Sequence, residues 1–216
     1  MDEYDVRRNK DNKNETIGRL FLEKYLLYQF PTYKPVFDYL NQIHGIDFEL
    51  YGKNKIHYIC DLKVAASSYK RKFPLTTGCL ECAARYKNKN GNWIDYTGWF
   101  LNDTMLSDTL VYLFIDEIKT TELTSPDDIK SAEVIFVYLS KIWEYLNNLG
   151  WNKTKLYNTV MNEYKNQEYK IFKSQYNNGI KFNSPQQYYE NERPINILIP
   201  REIYKEISIY NKIFKL

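Results

Sequence analysis

The sequence predicts an α/β protein with a central mixed sheet of four to five strands flanked by helices. Three observations support this. An apolar stripe with helical spacing follows Asn14, and two alternating runs around Gly52 read as a β-hairpin. A continuous apolar run, Leu110-Val-Tyr-Leu-Phe-Ile115, then reads as a buried strand ahead of a capped helical pattern. At 216 residues the chain is long enough for one domain with its own core, with or without an appendage.

Residues 1–13 are polar and charged and are expected to form a frayed or partner-dependent arm. Asn14 suits the N-cap of a helix running to Phe30, ahead of Pro31. Ile17, Leu20, Phe21 and Leu27 make its buried stripe, and Glu23 lies within or beside it. A glutamate facing inward needs a partner. Glu15, in the first turn, is favoured there by the helix dipole. Residues 31–42, with Pro31 and Pro35, read as a loop or short helix.

The hairpin spans residues 45–64, with Gly52-Lys53-Asn54 as its turn. Strand side chains alternate, so Asp61 and Lys63 share one face while Cys60 and Leu62 take the other. On the partner strand Asp47 shares a face with Glu49. Unpaired charge is costly to bury, so an acid and a lysine on a central strand require a reason. A carboxylate on each of two paired strands, with a lysine two residues after the second, is expected at a divalent-cation site.

Directly after this strand come Ser67-Ser68-Tyr69-Lys70-Arg71-Lys72. Lys70, Arg71 and Lys72 suit phosphate contacts, with Ser67 and Ser68 as hydroxyl donors; a solvated basic loop is the plainer alternative. Residues 77–86 read as a short helix carrying Cys79 and Cys82 one turn apart. With His57-x2-Cys60 these make a zinc-like spacing, but alternation sends His57 and Cys60 to opposite faces, and small buried cysteines are the preferred reading. Residues 93–101 read as a strand, and 108–118 bracket the buried one. Ser125-Pro126-Asp127-Asp128 reads as the capped start of a helix continuing to Leu149 and stopped by Gly150. Its expected apolar face is Val134, Ile135, Tyr138, Leu139, Ile142 and Leu146. Beyond Trp151 the sequence suggests a helix over 153–165, a turn at 177–179, a strand over 195–199 and a final amphipathic helix from Glu202.

The hairpin with Asp47, Asp61 and Lys63, its acids 14 positions apart, resembles the PD-(D/E)xK nuclease superfamily, whose signature is an Asp, a hairpin and then Asp/Glu-x-Lys. Gly45-Ile46 precede the first acid where many members carry a proline. The resemblance implies a restriction-endonuclease-like core over residues 14–150, with residues 151–216 as a helical and strand extension packed on it. It also implies a metal-dependent nuclease, most simply a DNA endonuclease. Asp47, Asp61 and the main-chain carbonyl of Leu62 would hold Mg²⁺ or Mn²⁺, and Lys63 would act at the phosphate. In such enzymes a glutamate of the first helix often completes the site; Glu23 is the preferred candidate and Glu15 its competitor. DNA is the expected partner, and a homodimer is compatible with this family. Gln186, Gln187 and Asn183 are side chains suited to adenine edges. A catalytically inactive nucleic-acid-binding or assembly module on the same fold is the alternative.

Composition narrows the field only modestly. Charged residues are 26% and net charge is +3, so no global field commits the chain to nucleic acid. The 21 tyrosines suit base stacking, but an AT-rich composition, which also raises Asn, Lys and Ile, is the preferred reading. Three cysteines cannot all pair within the chain, and the charged start does not read as a signal peptide. A cytoplasmic protein without a membrane partner is expected.

Overall fold

The computed structural model describes residues 3–52, 55–66, 75–88, 90–166, 176–177, 179–183 and 192–216. In chain order the first elements are α1 (Glu3–Tyr25), β1 (Lys34–Pro35), α2 (Tyr39–Ile43), β2 (Phe48–Tyr51), β3 (His57–Ala65), β4 (Thr77–Lys87), β5 (Trp93–Thr97) and β6 (Thr109–Ile118). They are followed by β7 (Ile129–Tyr138), α3 (Leu139–Asn148), α4 (Lys153–Asn166), β8 (Tyr176–Asn177), β9 (Ile180–Asn183), β10 (Glu192–Pro200), α5 (Arg201–Glu206) and β11 (Tyr210–Lys215). The chain forms two compact units: Met1–Thr76, Leu106–Lys141 and Arg201–Leu216 make the first, and Thr77–Met105 with Ile142–Pro200 the second.

The first unit is a six-stranded mixed sheet in the order β1-β2-β3-β6-β7-β11. Only the β3–β6 pair is parallel; its register sets Asp61 beside Leu110 and Lys63 beside Tyr112. The fold class is therefore α/β with a mixed sheet, as expected, and wider than the four to five strands anticipated. One sheet face packs on α1. Ile17, Phe21 and Leu22 of the helix, with Leu26 just past its end, share a core with Leu62, Val111, Leu113 and Val134. Gly18 sets the closeness of this contact, because a Cβ there would lie 2.6 and 2.8 Å from the two Val64 methyls. Phe214 of β11 meets Phe21 edge-on, with ring centroids 5.2 Å apart.

The opposite face of this sheet carries α5. Arg201 donates through both terminal nitrogens to Asp116 at 2.8 Å and through Nε to Glu133 at 2.6 Å. Its guanidinium lies 4.4 Å from the Phe114 ring. Burying Glu133 at this depth requires that pairing.

The second unit is a five-stranded sheet in the order β5-β4-β10-β9-β8, antiparallel throughout. Ile195, Ile197 and Ile199 are buried along β10, and Trp151 packs edge-on to Phe182. Among the described residues no helix is long and apolar enough to cross a membrane.

Several elements depart from the sequence expectation, each for a physical reason. The helix expected over 126–149 is a single 3-10 turn at Pro126–Asp128, then strand β7, then α3. The capping box is present as read, with Ser125 Oγ accepting from Asp127 N and Asp128 accepting from Ser125 N. Ala132 and Val134–Val137 are all buried, and a β-branched run apolar on both faces is a central strand. Gly150 does stop α3, in the left-handed conformation at φ +80°.

Residues 77–86, expected as a helix, form β4. Its adjacent Ala83 and Ala84 are both buried, as a strand covered on each face demands. The strand expected over 93–101 stops at Thr97. The final helix ends at Glu206, and Tyr210–Lys215 pairs with β7 as an edge strand. At the other end α1 extends back to Glu3, so backbone expected as a frayed arm is helical from that residue. Leu20, read as part of the stripe, is 45% exposed.

Candidate active site

The site grows out of the β2–β3 ladder. Phe48 opposes Cys60 and Tyr51 opposes His57, so the hairpin is paired as read. Lys53 and Asn54 of the expected turn lie outside the described residues; the positive φ falls at Lys55, at 60°. Asp47 precedes β2 by one residue and donates its N–H to Cys60 O at 2.9 Å. The regular pairing ends at Phe48–Cys60, and beyond it Asp47 turns its side chain onto the backbone of β3.

Asp47 Oδ2 accepts from the main-chain N–H of Leu62 at 2.6 Å. In a strand the N–H and C=O of one residue face the same edge. The Leu62 carbonyl therefore also faces the Asp47 edge, just where β2 has ended, while its side chain is sealed in the core.

Asp61 is 2% exposed. Its Oδ1 accepts from Lys63 Nζ at 2.8 Å, and its Oδ2 is buried without a hydrogen-bond partner. Burial drives the Asp61 carboxyl up to about 7; the negative charges of Asp47 and Glu15 add to the rise, and Lys63 opposes it. Lys63 responds in the opposite sense. Burial disfavours its charge, but Asp61, Glu15 and Asp47 outweigh burial and hold its ammonium above the ordinary lysine range.

A cavity of about 330 Å³ adjoins this edge, walled by Glu15, Thr16, Arg19, Gln42, Asp47 and Leu62. The helix carboxylate in that wall is Glu15. Glu23 is absent from the wall; it is buried, accepting from Arg19 Nε at 3.3 Å and from the Tyr33 hydroxyl at 2.5 Å. Burial, with Glu23 beside it, pushes the Tyr33 hydroxyl well above its ordinary range. The inward glutamate thus has the partner its position demanded, and that partner is not the hairpin. Of the wall, Thr16, Arg19 and Gln42 were not singled out from the sequence. Only Arg19 left a signal there: it stands four residues before Glu23, the spacing of a helical ion pair.

The remaining expected residues fall elsewhere. Ser67, Ser68, Lys70, Arg71 and Lys72 lie outside the described residues, as do Gln186 and Gln187. Asn183 sits on β9 in register with Asn196. His57 is bonded to Glu49 at 2.8 Å and stacked on Tyr51, with ring centroids 4.4 Å apart. Cys60 is fully buried on the other face of β3. Cys79 is exposed, Cys82 buried, and all three cysteines are free thiols. Among the described residues no three His, Cys, Asp or Glu side chains converge as a ready-made ligand set.

The donors at the hairpin edge nonetheless fit a hard divalent cation. They are two carboxylates and a strand-edge carbonyl, all oxygen, and one carboxylate oxygen is buried with nothing to bind. No family model, curated protein or solved structure matches this chain.

Proposed function

We propose that this chain is a metal-dependent nuclease that hydrolyses DNA phosphodiester bonds on a restriction-endonuclease-like core of the PD-(D/E)xK type. The observation that supports it most is the set of groups at the end of the β2–β3 pairing: Asp47 bonded to Leu62 N at 2.6 Å, Lys63 Nζ 2.8 Å from Asp61, and Asp61 Oδ2 buried and unpartnered. In this reading Asp47, Asp61 and the Leu62 carbonyl hold Mg²⁺ or Mn²⁺, and Glu15 is the helix carboxylate that lines the same cavity as Asp47 and Leu62. Bound there, the cation supplies Lewis-acid polarisation of the phosphate and lowers the pKa of a water.

The protein's own residues supply the rest. Lys63 keeps its ammonium charged at neutral pH and orients the attacking water while countering the charge that develops on phosphorus. The water oxygen forms a bond to phosphorus, the P–O3′ bond breaks, and the proton lost from the water balances the one gained by the departing 3′ oxygen. Ser67, Lys70, Arg71 and Lys72 follow β3 in sequence and supply phosphate contacts. The three free thiols suit the reducing cytoplasm.

The test is incubation of the protein with labelled duplex, branched and single-stranded DNA in Mg²⁺, Mn²⁺ or EDTA. Cleavage that needs the metal supports the reading. Binding without cleavage under every condition replaces it with the inactive binding module.

A further inference from the structure

We propose that Arg19 and Phe37 form a subsite for single-stranded nucleic acid, with Arg19 taking a phosphate and the open face of Phe37 stacking on an unpaired base. The subsite rests on the preceding reading only in taking a nucleic acid as its ligand and a cation as its neighbour.

Arg19 stands in the cavity wall together with Thr16, Asp47 and Leu62. Its Nε is committed to Glu23, yet Nη2 is buried without a hydrogen-bond partner. A buried donor left unpaired costs about 1–3 kcal/mol, which an acceptor in the cavity relieves. Guanidinium suits the oxygens of a phosphate in charge and in geometry. The same wall holds Glu15 and Asp47, which repel an anion. A phosphate seats there once a divalent cation has neutralised them, so the two sites are electrostatically coupled.

Phe37 supplies the second half. The residue is 73% exposed, and the Arg19 guanidinium lies over its ring at 4.3 Å from the centroid. That contact fixes one face of the ring and polarises it, leaving the other face open. Neighbouring Leu40 and Ile43 of α2 are also exposed, at 69% and 47%, and Gln42 of the same helix reaches the cavity wall. Scattered exposed apolar side chains are ordinary, but these three follow one another beside an anion seat. The platform is held in place. Asp38 caps α2 by accepting from Asn41 N at 2.9 Å, and Gln42 Nε2 donates to Val36 O at 3.3 Å. Every base has a π-face, but in a duplex those faces are already stacked. A ring presented beside a phosphate seat therefore selects strands whose bases are free.

The experiment is fluorescence anisotropy at fixed ionic strength, using a labelled thymidine 20-mer and a labelled 20-base-pair duplex, first in EDTA and then in Ca²⁺. The single strand is expected to bind more tightly than the duplex. Phe37→Ala should weaken single-strand binding by about 5- to 100-fold, the range for loss of one stacked base, and leave duplex binding unchanged. Phe37→Trp should restore binding and add an indole emission that the strand quenches. Arg19→Gln should lower the slope of log affinity against log salt by about 0.7, the value for one lost phosphate contact on a single strand. Because Arg19 also holds Glu23, the exposed Phe37 variants decide the matter if Arg19→Gln fails to fold. Equal affinity of wild type and Phe37→Ala for the single strand overturns the subsite, as does no single-strand binding in either buffer. Metal-dependent cleavage with no such preference leaves the nuclease reading standing without the subsite. Phe37-dependent binding without cleavage does the reverse.

Discussion

Lys63 donates to Asp61 Oδ1 at 2.8 Å from two residues along the same strand, while Asp61 Oδ2 stays buried with no partner. One half of the carboxylate is neutralised and the other half is left waiting. An arrangement that holds a charge in the fold at a cost to stability is what a site shaped for a ligand looks like.

That cost is measurable. Asp61 is raised to about 7 in the folded chain against about 3.9 when unfolded, so between those values the folded state binds the extra proton. Stability contributed by its protonation is therefore full below about pH 4 and lost as pH rises towards 7. Asp61→Asn removes that slope. In EDTA the variant should gain on wild type across this window by up to about 4 kcal/mol, read from urea unfolding at stepped pH. Parallel stability curves for the two proteins would show that Asp61 is not held protonated by its burial.

The same proton competes with a metal. Mn²⁺ affinity should climb with pH up to about 7 and level off above it, with up to one proton released per ion below that point. Asp61→Asn should weaken Mn²⁺ binding at least tenfold, about 1.4 kcal/mol, and abolish that release. Calorimetry in two buffers of different ionisation enthalpy measures both quantities. Unchanged affinity in the variant would remove Asp61 from the metal site.

Gly18 tests how closely α1 must approach β3. Alanine gains up to about 1 kcal/mol of helix propensity, but its Cβ would stand 2.6 and 2.8 Å from the Val64 methyls. Overpacking of this kind costs about 1–3 kcal/mol, so Gly18→Ala should destabilise the fold by urea titration. Adding Val64→Ala should recover part of the loss relative to Val64→Ala alone. If the two changes are additive, the contact does not limit the approach.

How much of this was legible depended on whether a pattern distinguished one face from the other. The hairpin was legible because Asp61 and Lys63 alternate with Cys60 and Leu62, a contrast only a strand with two different faces produces. β7 was misread because Val134–Val137 are buried on both faces, and any continuous apolar run contains a helical stripe. β4 was misread for a similar reason, its Cys, Ala and Glu residues carrying no strong preference for a strand. The preference for Glu23 over Glu15 rested on helical phase alone. Helical phase shows that Glu23 faces inward, but not that Arg19 and Tyr33 are what it meets there. The parallel pairing of β3 with β6 joins segments some fifty residues apart and leaves no local trace.

Lys63 separates an enzyme from a binding module. In the proposed reaction it acts where negative charge on phosphorus and nucleophile is greatest, so it favours the transition state over the bound strand. Lys63→Ala should cut the cleavage rate by two or more orders of magnitude, like the loss of other transition-state charge donors, on the order of 2.7–4 kcal/mol. DNA affinity should fall far less, because it is spread over many phosphate contacts. Lys63→Met retains most of the apolar stem, whose packing counts since the side chain is only 30% exposed, and so separates lost charge from lost packing. Both variants should remain folded but slow, with Asp61 pushed still higher once its counter-charge is gone. The comparison is single-turnover cleavage beside anisotropy titration at one salt concentration. Cleavage at the wild-type rate in both variants would take Lys63 out of the chemistry and leave the Asp47–Asp61 pair without the residue that makes it a nuclease site.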